Sequence, residues 1–396
     1  MSSQPIVIQA GQLVTPLEAI AQGTVVIEGG KITALGSGIP IPELAQVIDV
    51  GDQIVAPGFI DNHIHGAVGH GFAEGPEAVR EIVRFRTATG TTGFLPTLGG
   101  ATTLEGMLEP IRRVRQVMRE GTDGAEILGI HMEGPYLSPR KPGVNPVELM
   151  RPLDIAEVEA MQEAAEGNIR LVSVAPDEEG GLEFIRGLRR LGIVAGIAHT
   201  DTDYETILQA VEAGATYAVH TYNGMRGLHH RAPGAVGAVL TCDQVFTELI
   251  ADGVHVHPAA MDILVRCKGR ERVVLVTDNS SMAGMPDGIY QGFGGQRIEK
   301  KEGVLRSLDT GSIAGSAMAF NEDVRNMVKR VGVPLPWAIQ MASFNPARAL
   351  GLEAHKGSLE VGKDADLIVM DEEVNVYLTM VRGRVAYKPM GQQVMS

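Results

Sequence analysis

The chain has 396 residues, 44% of them apolar, and a formal charge of −14 with no run of Lys or Arg. That length asks for two domains or one large barrel with an appendage, and so acidic a surface makes nucleic acid and anionic membranes poor partners while leaving room for a small anionic substrate. No apolar run approaches the roughly 18 residues of a bilayer span, the opening MSSQPIVIQ lacks the pattern of a secretory signal, and two cysteines, Cys242 and Cys267, exclude a disulfide scaffold and fit a reducing cytoplasm.

Residues 1–54 read as short β segments. PIVIQAGQLVTP, GTVVIEGGKITALG and AQVIDVGDQIVAPG are Val- and Ile-rich runs punctuated by Gly. The stretch 356–396 has the same character, with three strand-like runs in GSLEVGKDADLIVMDEEVNVYLTMVRGRVAY. Two β-rich ends around a different middle predict one small β-sandwich assembled from both, flanking a catalytic domain at 55–355.

The middle alternates apolar runs with helical patterns such as TLEGMLEPIRRVRQVMRE and DYETILQAVEAG. The runs lie at 58–65, 93–97, 125–133, 169–176, 192–199, 215–220, 245–252 and 272–278. Eight βα units over this span predict an α/β fold of the (β/α)8 TIM-barrel type. An open doubly wound sheet is the alternative, and the lack of G-x-G-x-x-G after an early strand lowers it.

Strand C-termini of a barrel converge on one face, where active sites are built. Here they end in His63-Ile64-His65, His131-Met132-Glu133, His199, His220, Asp252 with His255 beyond it, and Asp278. The two-residue period of a strand points His63 and His65 the same way, so both can chelate one ion. Neutral imidazole suits Zn, Fe or Ni, and a carboxylate such as Glu133 can bridge two ions. A lone histidine at a strand end is ordinarily a core or surface residue with its hydrogen bonds met. Five metal-capable residues at four strand ends are not. Asp278 follows the apolar run RVVLVT; it reads either as a helix cap or as an acid/base beside the metal.

PGFIDNHIHG (57–66), HMEGPYLSP (131–139), GIAHTDT (196–202), HTYNGM (220–225), ELIADGVHVHP (248–258), LVTDNSSMAG (275–284), GSIAGSAM (311–318), ASFNPARALGL (342–352) and KGSLEVGKDADLIV (356–369) together resemble the N-acetylglucosamine-6-phosphate deacetylases of the amidohydrolase superfamily. HMEGP with HTYNGM is the specific part, since the last motif is common across the superfamily. The resemblance implies deacetylation of N-acetyl-D-glucosamine 6-phosphate with one or two divalent ions, Zn2+ or Fe2+. It implies Glu133, His199 and His220 as principal ligands, with His63 and His65 available for a second ion, and Asp278 as catalytic acid/base. It implies sugar-phosphate contacts from Asn223, Gly224, His230, Arg231 and His255, with Asp252, Gly253 and Val254 in the same loop. Ile313, Ala314 and Gly315 fall where the family lines the sugar pocket with backbone. The family places this Arg in the neighbouring subunit's site, so a homodimer with Arg231 reaching across is expected.

Two departures stand out. Asn145, beside Val144, occupies the position twelve residues after the ligand Glu133 where some members carry a His that polarises the amide carbonyl. An amide still donates a hydrogen bond there but carries no charge. Gly224 replaces the usual Ala, which should matter little if the contact is through the backbone N–H. The runner-up is a cyclic amidohydrolase of the dihydroorotase or dihydropyrimidinase kind. That group bridges its metals with a carboxylated Lys on strand 4, and IRLVSVAP has none. A metal-free scaffold protein would be marked by lost ligands, and the set is retained. Other N-acetylhexosamine phosphates differ from the glucosamine one by a hydroxyl orientation and stay open.

Overall fold

A computed structural model of the chain describes residues 4–15, 18–292, 295–309 and 311–389. The opening Met1–Ser3 and residues 390–396 of the C-terminal segment lie outside them. Eight parallel strands form the barrel, in sequence order: Phe59–Ile64, Thr91–Gly99, Ile130–Glu133, Ile169–Val174, Val194–Ile197, Tyr217–Ala218, Phe246–Ile250 and Val273–Val276. The third is extended backwards by Glu126–Ile127, which pairs with the second strand at Gly93 and Phe94. The ring closes where Ile64 bridges Asn279 and the Asp278 N–H donates to the His63 carbonyl at 2.9 Å.

Helix formation follows local signals. Thr103 caps Leu104–Glu120 by accepting from the Gly106 N–H, and Met107, Ile111, Val114 and Val117 recur on its buried stripe. Asp203 caps Tyr204–Ala213 by accepting from Thr206 N–H, and Gly214 ends it at φ +125°. The barrel interior is filled by Ile60, Leu95, Leu128, Leu171, Val219, Ile250 and Val274. The short helix Phe344–Ala349 closes its floor. There the Asn345 amide donates to the carbonyls of Arg270 and Val273, both at 2.7 Å.

The chain ends build a separate eight-stranded mixed sheet. Ile6–Val14, Ala19–Glu28, Lys31–Ser37, Gln46–Asp49 and Ile54–Pro57 join Leu367–Met370, Val376–Val381 and Arg384–Tyr387. Its core of Ile8, Leu13, Val25, Ile27, Val55, Leu367 and Met380 is distinct from that of the barrel. The N-terminal segment holds five strands rather than three, because turns split the second and third Val/Ile runs while the first stays one strand, Ile6–Val14. Ile54–Pro57 pairs with Leu367–Met370 and leads straight into the first barrel strand.

One element goes beyond the eight βα units. After the eighth strand the chain makes a four-stranded antiparallel sheet from Gly288–Gln291, Arg297–Lys301, Val304–Ser307 and Ile313–Ser316. Its last strand is tied to the barrel mouth: Ser316 N–H donates to the Asp278 carbonyl at 3.0 Å, and Ser280 N–H to the Ser316 carbonyl at 2.9 Å. No helix among the described residues is long and apolar enough to cross a membrane.

Candidate metal centre and active site

His63, His65, Glu133, His199, His220 and Asp278 meet at the C-terminal mouth of the barrel. Glu133 divides its two oxygens. Oε1 lies 3.0 Å from His220 Nε2 and 3.3 Å from His199 Nε2. Oε2 lies 3.1 Å from His65 Nε2 and 3.6 Å from His63 Nε2. Within each pair the ring nitrogens are 3.1 Å apart (His199 and His220) and 3.2 Å apart (His63 and His65). Asp278 Oδ1 faces the strand-1 pair at 3.3 and 3.5 Å.

These separations bear on what the donors fit. Ligand atoms held at 2.0–2.1 Å in a tetrahedral set are about 3.3 Å from one another. The two histidine pairs, each sharing one Glu133 oxygen, have that spacing, and their atoms lie within 4.8 Å of each other in each group. The electrostatics agree. Burial opposes charge on His63, yet Asp278, Glu248 and Glu133 drive its pKa well above the usual value. Burial likewise opposes charge on His65, and Asp278 with Glu133 lifts it to about 9. Glu133 is pushed up by burial but held well below the carboxylate range by His63, His199 and His220. The carboxylates thus create a strong local demand for positive charge, of the kind a divalent cation meets.

The imidazoles are oriented from behind. His63 Nδ1 lies 3.0 Å from Glu248 Oε2, and the same oxygen accepts the backbone N–H of His220 at 2.8 Å. His199 Nδ1 donates to the Lys141 carbonyl at 2.7 Å. Both contacts leave Nε2 facing the cluster. His199, His220 and Asp278 all take left-handed backbone conformations, with φ of +42°, +30° and +48°. Such angles are rare for residues with a Cβ and concentrate at functional sites. They turn the side chains off the strand ends into the cup.

Sequence reasoning missed Glu248. Its signal was a carboxylate inside the apolar run VFTELIAD, since a fully buried acid needs a partner. His131, at the same strand end as Glu133, does not join the cluster. It contacts Thr97 Oγ1 at 3.2 Å and Ser173 Oγ at 2.9 Å, and burial pushes its pKa well below the usual value.

The remaining candidates surround the cup unevenly. His255 Nδ1 lies 2.6 Å from Asp252 Oδ2, and Asp252 Oδ1 accepts the N–H groups of Val254 and His255, each at 2.8 Å. Burial opposes a charge on His255, but Asp252 outweighs it and raises the pKa. Gly253, at φ +75°, lies under the Arg330 guanidinium. The Asn223 amide donates to the His220 carbonyl at 3.2 Å. A Cβ on Gly224 (φ +61°) would come within 2.9 Å of His199 Nδ1, so the glycine leaves room for that imidazole. Asn145 and the exposed Val144 belong to a loop in which a Cβ on Gly143 would come within 2.9 Å of His199 Cε1. Ile313, Ala314 and Gly315 lie on the strand tied to Asp278. His230 and Arg231 are the exception. They stand on an exposed tip beside Leu228 and contact each other at 2.6 Å. Among the described residues no hydrogen bond or ion pair joins that tip to the cluster. Arg226 is committed elsewhere, to Asp201 through two contacts of 3.2 Å.

Residues 54–386 match the amidohydrolase family. The chain is 37% identical over 381 residues to an Escherichia coli N-acetylgalactosamine-6-phosphate deacetylase, covering 96% of this chain and 99% of that one. It is 36% identical to the N-acetylglucosamine-6-phosphate deacetylase of Bacillus subtilis, covering 97% and 98%. In structure it is similar to a mutant N-acetyl-D-glucosamine-6-phosphate deacetylase from Mycobacterium smegmatis in complex with N-acetyl-D-glucosamine-6-phosphate. That match has a TM-score of 0.90 and 33% identity, and covers 97% of this chain and all of the other.

Proposed function

The chain belongs to the amidohydrolase family, and from that premise we propose that it hydrolyses N-acetyl-D-glucosamine 6-phosphate to glucosamine 6-phosphate and acetate. The observation that carries the reading is Glu133, whose two oxygens serve two histidine pairs with Asp278 3.3 Å from His65. Glu133, His199 and His220 would hold one divalent ion, zinc or ferrous iron, and His63 with His65 a second. Such an ion polarises a carbonyl and brings the pKa of a bound water from 15.7 to about 7.

The chain's own groups supply the rest. Asp278 takes the proton of the attacking water and returns it to the amine nitrogen as the amide C–N bond breaks. An amine leaves poorly unless protonated, so one carboxylate acts twice. Asn145 donates a hydrogen bond to the acetyl oxygen. Val144, Asn223, Gly224 and the Ile313–Gly315 backbone line the sugar. His255, oriented by Asp252, and the His230–Arg231 tip hold the phosphate, the tip serving the partner subunit of a homodimer. We take 55–355 as the catalytic unit, 1–54 with 356–396 as its β appendage, and the cytoplasm as its place of work.

The galactosamine series is the second reading, favoured by the relative at 37% identity. A panel of the 6-phosphates of N-acetyl-glucosamine, -galactosamine and -mannosamine, with released amine measured, decides between them. The glucosamine compound should show the highest kcat/KM; a higher value for another epimer reassigns the substrate. A cyclic amidohydrolase is disfavoured because the fourth strand, Ile169–Val174, carries no lysine.

Arg231→Ala tests the phosphate site. Hydrogen bonds to charged groups contribute roughly 1.5–3 kcal/mol, so kcat/KM should fall about 10- to 200-fold, mostly through KM. Mixing Arg231→Ala with Asp278→Asn chains should restore one intact site per mixed dimer. Activity never above the sum of the separate variants, with subunit exchange demonstrated, would confine Arg231 to its own subunit.

A further inference from the structure

Behind the metal-capable cluster lies a second polar network that the hydrolysis as described leaves unused. Asp61, in the first barrel strand, and Arg86, in the helix Pro76–Thr87, are both fully buried and meet at 2.5 Å. Asp61 spends its remaining capacity on the two segments that build the site. Its Oδ1 accepts the N–H of Thr277 at 3.2 Å and of His63 at 3.4 Å, and its Oδ2 accepts the Thr277 hydroxyl at 2.6 Å. A second Arg86 nitrogen donates to Asn279 Oδ1 at 2.8 Å. The Asn279 amide donates to the Met318 carbonyl at 3.0 Å, and the Asn279 carbonyl accepts the His65 N–H at 2.8 Å.

Asp278 sits between the two residues so gripped, in a left-handed conformation that a side chain with a Cβ rarely adopts. A buried ion pair is a poor route to stability, since an apolar pair of similar volume often serves as well or better. This one has a geometric result instead: it fixes the residues on either side of Asp278 and the backbone of both strand-1 histidines.

We propose that Asp61 and Arg86 are positioning residues for the hydrolysis, holding Thr277 and Asn279 so that Asp278 keeps its reach to His63 and His65. The inference rests on the acid/base reading of Asp278. It places the effect on turnover, because neither residue touches substrate.

Arg86→Lys is the test. Lysine keeps the charge but offers one ammonium where the guanidinium fork spans two acceptors. At saturating metal, kcat should fall about 10- to 100-fold, as for other outer-shell partners. KM should stay within about threefold, because substrate binding is untouched. Asn279→Ala, which removes only an uncharged arm of the network, should move kcat the same way. In an Asp278→Asn background neither change should lower the residual rate by more than about twofold, since contributions acting through one residue do not add. Wild-type-like kcat in Arg86→Lys, a loss confined to KM, or losses that multiply in the Asp278→Asn background would each overturn the proposal. If Arg86→Lys does not fold, Asn279→Ala decides by the same measurements. A loss below tenfold for Asp278→Asn by itself overturns the acid/base reading and this proposal with it, whereas wild-type-like kcat in Arg86→Lys beside a large Asp278→Asn loss overturns this proposal alone.

Discussion

Asp278→Asn should fold, keep its metal and lose at least about two decades in kcat, within the 10²- to 10⁴-fold that general acid–base catalysis contributes. The substitution is nearly isosteric, and Asn tolerates the left-handed backbone at φ +48° better than most residues. What it removes is a basic oxygen. Burial raises the Asp278 pKa, but His63 and His65 outweigh it and hold the carboxyl well below its usual range. The group is therefore ionised at neutral pH, and its carboxylate oxygen is one that a proton can be transferred to, which an amide oxygen is not. Steady-state kinetics beside circular dichroism and metal content give the check. A loss below tenfold would leave Asp278 a structural role at the end of the eighth strand.

Metal removal should have the larger effect. Prolonged chelation should bring turnover to background, and zinc or ferrous ion should restore it. The motive is the paired geometry of Glu133, which also sharpens the test. Because one carboxylate faces both histidine pairs, Glu133→Gln should weaken both ions together, whereas His65→Ala should weaken only the strand-1 ion. Elemental analysis of wild-type protein should saturate at two ions per chain. Full activity in thoroughly metal-stripped protein would sink the mechanism, and saturation at one ion would remove the strand-1 site from it.

The sequence made the barrel legible because each strand announces itself locally as an apolar run, several of them ended by a polar residue. The meeting of His63, His65, Glu133, His199, His220 and Asp278 was legible because a closed ring brings strand ends together whatever their distance in the chain. What stayed hidden depends on partners remote in sequence. Nothing near Glu248 says that it will lie 3.0 Å from His63, and nothing near Arg86 points to Asp61 and Asn279. The Lys141 carbonyl behind His199 is a backbone atom, without a residue type to betray it. The sheet at Gly288–Ser316 was lost among turn signals, and its hold on the Asp278 carbonyl appears only in three dimensions. Proximity in sequence sets Arg226 close to His230 and Arg231, yet Asp201 claims it, a partner 25 residues away that no local pattern shows.

The end sheet sets an order on the birth of the molecule. Ile54–Pro57 needs Leu367–Met370 as its neighbour, and the pairing of Pro57 with Leu367 is among the longest-range in the chain. A ribosome adding about 5–20 residues per second puts that partner roughly 15–60 s behind. Until then the first strands carry an open apolar edge, the kind that pairs with other chains. The barrel can begin to assemble as its strands emerge, each beside its predecessor. The nascent appendage must wait for Leu367–Met370 to emerge before that edge is covered.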